Sequence, residues 1–198
     1  MNLALATFPK ATKEKPEDVD NIAQTLIDKF NAALSSQDTQ AILDLFLEDC
    51  YWRDHLGLSW NFHTLKGKEK MSDFLGAETK GLKKLTINRS TAFRAPHYGA
   101  LDGAGNINGV EFFVEFEADK GSGNGLCRIL EETAGTWKIF SLFTTLKELK
   151  DIKETTYHNR PEGVAHGENK NRENWLDRRN KDLNYENGKE PAVLIVGR

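Results

Sequence analysis

Val110-Glu111-Phe112-Phe113-Val114-Glu115-Phe116-Glu117 decides the fold class. Val110, Phe112, Val114 and Phe116 alternate with Glu111, Glu115 and Glu117, the period-two pattern of a strand with one face on a core. Leu126 to Leu130 and Trp137 to Leu146 read as two further strands. Gly121 to Gly125 and Ala134-Gly135 supply hairpin turns between them. Upstream, Leu85, Ile87 and Phe93 form another strand-like stretch, ended by Pro96.

Ahead of these strands the period is helical. Val19, Ile22, Ala23, Leu26, Ile27, Phe30, Ala33 and Leu34 make one wide apolar stripe. Pro16 suits the first turn of this helix, with Glu17 and Asp18 near its positive end. Ser36 or Asp38 caps a second helix carrying Ala41, Ile42, Leu45 and Phe46. A third runs from about Lys68 to Lys80, with Met71, Phe74 and Leu75 inward. Helices first and strands later predict an α+β fold, helices packed on one face of a curved, mostly antiparallel sheet. Such a bent sheet forms a cone with a pocket at its mouth.

The predicted organisation is a loose arm over residues 1–15, the cone domain over 16–150 and a tail over 151–198. The tail is charge-rich and cannot build its own core. Trp175, Leu176, Leu183 and Tyr185 are its candidate anchors, on the domain or on a partner subunit. Ala192 to Gly197 read as a short buried strand. Glycines 103, 105 and 109 lack dinucleotide-binding spacing and precede a strand, so they mark a turn.

With 198 residues, 38% of them apolar and 29% charged, the chain suffices for one globular core. A net charge of −3 gives no footprint for nucleic acid. No stretch has the length of a membrane span or the pattern of a secretion signal, which predicts a cytoplasmic protein. Cys50 and Cys127 are then buried small hydrophobes in a reducing compartment. No cluster has metal-site spacing, so no metal is expected, and no nucleophile elbow is present.

Unusual chemistry is concentrated between Tyr51 and Thr64. On a strand, Trp52, Asp54 and Leu56 share one face, Arg53 and His55 the other. A desolvated Asp54 facing an aromatic-lined pocket would act as general acid or base, with His55 and His63 relaying protons. Trp52 and Trp60 would hold a flat apolar substrate, with Tyr51, Arg53, Asn61 and Phe62 as further lining candidates. The alternative is structural: Arg53 and Asp54 in ion pairs, the tryptophans in the core. His97, beside Pro96, reads as a surface histidine.

Trp52-Arg53-Asp54, Trp60 and Phe62 resemble the N-terminal SnoaL-like domain of fungal and bacterial flavin-containing monooxygenases, a nuclear-transport-factor-2-like cone. So do Arg172 with Asn174 to Arg179, and Pro191 to Gly197. In that family the final strand opens a dinucleotide-binding domain, whose Gly-rich turn and helix hold the FAD pyrophosphate. The chain stops at Arg198, so no FAD or NADPH site, and no other cofactor, is expected. Where the family commonly has leucine, aspartate and arginine, this chain has His55, Asn61 and His63. The wider fold implies a cofactor-free isomerase, cyclase or related lyase acting on a small hydrophobic secondary-metabolite intermediate, with Asp54 as acid/base. The other expectation is a non-catalytic dimerisation or ligand-binding module. In both cases a homodimer is expected, motivated by Phe113, Ile129 and Phe140 on strand faces opposite the core.

Overall fold

The computed structural model describes residues 7–8, 14–77, 81–160 and 174–184. It divides into two compact units, Met1–Glu154 and Thr155–Arg198.

In the first unit, helix α1 spans Val19–Ser35. Its stripe buries Ala23, Leu26, Ile27, Phe30 and Ala33. Asp18 is the N-cap, accepting from the Asn21 amide at 2.9 Å. The helix therefore starts after Pro16 rather than on it. Asp38 caps helix α2, Thr39–Asp44, through the Ala41 amide at 2.9 Å. Leu45 and Phe46 do not continue that helix. Phe46 opens strand β1, Phe46–His55, and is buried there instead. Strand β2, Phe62–Lys66, leads into helix α3, Gly67–Ala77. The remainder expected for this helix, residues 78–80, lies outside the described residues.

Five strands follow: β3 (Leu82–Ile87), β4 (His97–Ala100), β5 (Asn108–Ala118), β6 (Gly121–Thr133) and β7 (Thr136–Leu149). The sheet order is β2-β1-β7-β6-β5-β3, with β4 also paired to β5. Among the described residues only β1 and β7 pair in parallel; the other pairs are antiparallel. The expected α+β architecture is present, with helices on one face of a curved, mostly antiparallel sheet. Val110, Phe112, Val114 and Phe116 are fully buried on the face that meets the helices. They join Phe30, Phe46, Trp52, Phe74 and Met71 in one continuous core.

Three strand expectations are corrected. Gly121 to Gly125 is not a turn; it lies within β6. A Cβ on Gly123 would stand 2.4 Å from the Phe116 ring and 2.1 Å from the Thr145 carbonyl oxygen. One on Gly125 would stand 2.9 Å from Val114 and 2.2 Å from the Phe143 oxygen. These glycines let neighbouring strands and bulky β5 side chains approach closely. Phe93 lies beyond β3, in a turn where Asn88 accepts from the Ser90 amide at 2.9 Å. Ile129 is core, because it keeps the inward parity of Gly123, Gly125 and Cys127. A register shift beside it buries Leu130 as well. Ala134-Gly135 is the expected turn, with Gly135 at φ +76°.

In the second unit, helix α4 spans Trp175–Leu183, capped by Asn174, whose side chain accepts from the Asp177 amide at 2.8 Å. Trp175, Leu176 and Leu183 are exposed, and the Arg179 guanidinium lies 5.1 Å from the Trp175 ring centre. The expected strand over residues 192–197, the anchor Tyr185 and most of the N-terminal arm lie outside the described residues. Among the described residues no helix is long and apolar enough to cross a membrane.

Candidate functional site

The alternation of β1 divides the candidate residues between two faces. Cys50, Trp52 and Asp54 point to the core, while Tyr51, Arg53 and His55 point outward. Trp52 lies at 0% exposure, stacked on Phe46 at 6.0 Å and met edge-on by Phe30 and Phe74. It fills the cone rather than lining an opening.

Asp54 is also at 0% exposure. Its Oδ1 accepts from the Thr144 hydroxyl at 2.5 Å, and its Oδ2 from the Leu58 amide at 3.1 Å. Thr144 Oγ1 in turn accepts from the Trp52 indole Nε1 at 3.1 Å. Arg53, on the outer face and bonded to His55, does not provide the ion pair considered for Asp54. The Leu58 bond pulls the loop between β1 and β2 over the carboxyl group. That loop is also closed by the Leu56 amide on the Asn61 carbonyl at 3.4 Å. Leu56 takes φ +61°, a left-handed conformation that opposes a bulky side chain. A Cβ on Gly57 would lie 2.7 Å from Asp54 Oδ1 and 2.9 Å from Phe116. Glycine at this position lets the loop close over both groups.

His63 is directly opposite Asp54 in the β1–β2 register, so it shares the inner face. Its Nε2 lies 2.8 Å from Ser59 Oγ, and its ring lies 4.9 Å from Phe74. His55 is on the other face. It accepts from Arg53 Nε at 2.8 Å and meets Phe62 and Phe143 edge-on at 5.0 and 5.1 Å. Tyr51 packs edge-on against Phe140 beneath the Lys66 ammonium. Trp60 is 62% exposed at the loop tip, with Lys120 5.7 Å from its ring centre, and Phe62 is 66% exposed. The side chain of Asn61 accepts from the Phe62 amide at 2.8 Å, a local turn bond. The candidates therefore form two groups, with Asp54 and His63 inside and His55 and Phe62 outside.

Sequence reasoning missed Thr144, which joins Trp52 to Asp54. Its signal was a hydroxyl residue at the inward parity of β7, two positions after Leu142. It also missed Gly57, whose missing side chain is what the loop needs. His97 is the expected surface histidine, 3.8 Å from Glu111. Cys50 and Cys127 are buried thiols, both pushed upward in pKa by burial, Cys50 to about 11. Among the described residues no three His, Cys, Asp or Glu side chains gather as a metal site.

No protein-family model and no curated protein matches the sequence. Solved structures of similar shape include a ketosteroid isomerase-like protein from Erwinia carotovora atroseptica, 9% identical over 67% of this chain and 98% of its own, with a TM-score of 0.47. A putative calcium/calmodulin dependent protein kinase II association domain from Xanthomonas campestris is 15% identical over 74% of this chain and 97% of its own, with a TM-score of 0.47. An NTF2-like protein with a cystatin-like fold from Novosphingobium aromaticivorans is 14% identical over 65% and 81%, with a TM-score of 0.41.

Proposed function

We propose that the domain is a non-catalytic module that binds a small hydrophobic molecule and pairs with a second copy. One observation carries this reading. Asp54, the only carboxylate between Tyr51 and Thr64, is fully buried and both its oxygens are hydrogen-bonded. A general acid or base needs a proton path to substrate. This carboxyl group is committed to Thr144 and to the loop above it, and so acts as a latch. Pairing is supported by the outer sheet face, where Phe113, Leu126 and Phe143 are cross-strand neighbours and only half-buried. The test is amide exchange in Asp54→Asn. The latch predicts faster exchange at Leu58 and along the loop to Asn61, with the rest of the sheet protected. Unchanged exchange there would overturn it.

A second reading keeps the enzyme, a cofactor-free isomerase, cyclase or lyase for a hydrophobic secondary-metabolite intermediate. Its support is the inner-face pairing of Asp54 with His63 beneath a loop that would have to open. Here Asp54 is the acid/base and His63 its relay. Comparing metabolites of a gene deletion and its parent tests it. A compound that accumulates in the deletion and is consumed by the purified protein supports catalysis.

A further inference from the structure

The outer group of candidates borders an open cleft of about 400 Å³ between the end of β1, the start of β2 and the end of β7. Leu56, Phe62, Leu146, Leu149 and Ile152 supply apolar walls, and His55 contributes a polar group. Phe62 and Ile152 are 66% and 63% exposed, a large apolar exposure for two residues lining one cleft. The volume falls within the range of small-molecule sites.

His55 has a defined hydrogen-bonding state. Arg53 Nε–H donates to its Nε2 at 2.8 Å. Arginine is always a donor, so Nε2 is the acceptor and the proton of the neutral ring sits on Nδ1. Among the described residues Nδ1 has no hydrogen-bond partner. The ring is held edge-on by Phe62 and Phe143, so its donor is fixed in place. The charges at the rim disfavour an anion. Lys147 lies 3.6 Å from Glu148, which neutralises it, and Glu154 adds a negative charge.

We propose that this cleft binds a planar, neutral aromatic carbonyl compound, its ring against Phe62 and Ile152 and its carbonyl accepting from His55 Nδ1–H. The site is separate from Asp54, which lies on the opposite face of the sheet. The proposal deepens the binding-module reading and rests on it.

The test uses the full chain, labelled with nitrogen-15, and three probes: 2-acetylnaphthalene, 2-ethylnaphthalene and 2-naphthoate. Long-range imidazole spectra should place the His55 proton on Nδ1. The ketone should perturb His55, Phe62, Leu146 and Leu149. It should bind about five- to tenfold tighter than the hydrocarbon, the worth of one hydrogen bond, and tighter than the carboxylate. His55→Phe should abolish the preference for the ketone. Should that variant fail to fold, Arg53→Met removes the tautomer lock and should narrow the ratio. A proton on Nε2, equal affinity for ketone and hydrocarbon, or perturbations elsewhere would overturn the proposal. Loop exchange in Asp54→Asn needs no ligand, so a faster-exchanging loop with no ketone binding overturns the cleft alone.

Discussion

The Thr144 hydroxyl joins Trp52 to Asp54, accepting from the indole Nε1 at 3.1 Å and donating to the carboxyl Oδ1 at 2.5 Å. One hydroxyl thus satisfies two buried polar groups on the neighbouring parallel strand. Thr144→Val keeps the shape and leaves the indole Nε1 and the carboxyl Oδ1 without this partner, while Oδ2 keeps the Leu58 amide. It should lower stability by about 2–4 kcal/mol, and Thr144→Ser by less than half of that. Denaturant unfolding with unchanged slope checks this; equal losses for the two variants would mean the hydroxyl is not what matters.

The glycine positions separate two kinds of close approach. At Gly57 an added Cβ meets side-chain atoms of Asp54 and Phe116, while at Gly123 it meets the Phe116 ring and the Thr145 carbonyl oxygen. Alanine at either should cost about 1–3 kcal/mol through overpacking. Adding Phe116→Leu should relieve part of the Gly57→Ala loss and little of the Gly123→Ala loss, because backbone cannot move aside. Double-mutant cycles on melting data read the difference.

Stability should fall in alkali. Burial pushes the Cys50 thiol up from 9.0 to about 11, with the Lys68 ammonium opposing the shift. A raised folded pKa means that the folded state holds its proton while the unfolded state releases it. The contribution is complete below pH 9 and is lost as pH rises toward 11. Cys50→Ala should flatten this part of the melting profile, while Cys127, also raised by burial, leaves a residual slope. An equally steep profile in Cys50→Ala would contradict the assignment.

The pairing of two copies is checked by light scattering against the monomer mass of 22.4 kDa. The wild type should give twice that mass. Phe143→Glu, placing a charge in the row formed by Phe113, Leu126 and Phe143, should give the monomer without unfolding it. A wild-type monomer at every concentration would rule out the pairing.

The fold was legible because its strongest signals are periodic. The α1 stripe and the β5 alternation each specify an element and its buried face without knowledge of neighbours. Gly121 to Gly125 misled because glycine serves turns and close strand packing alike, and only the location of Phe116 distinguishes them. Phe93 misled because the strand signal before it outweighed the Asn88 turn. At the site, parity correctly separated Asp54 from His55. It could not show that Asp54 is covered, since the covering contacts come from Thr144, ninety residues later, and from a loop whose closure depends on Gly57. Register with β2, also a tertiary fact, is what puts His63 on the inner face.

Thermal unfolding of Asp54→Asn decides whether Asp54 acts as a latch. An asparagine can still accept from Thr144 through its oxygen, but its amide then faces the Leu58 N–H, donor against donor. The expected loss is about 1–3 kcal/mol, a fall of several degrees in melting temperature for a domain of this size. An unchanged melting temperature, with a turnover by wild-type protein that falls about a hundredfold or more in the variant, would contradict the latch and make Asp54 the acid/base of an enzyme.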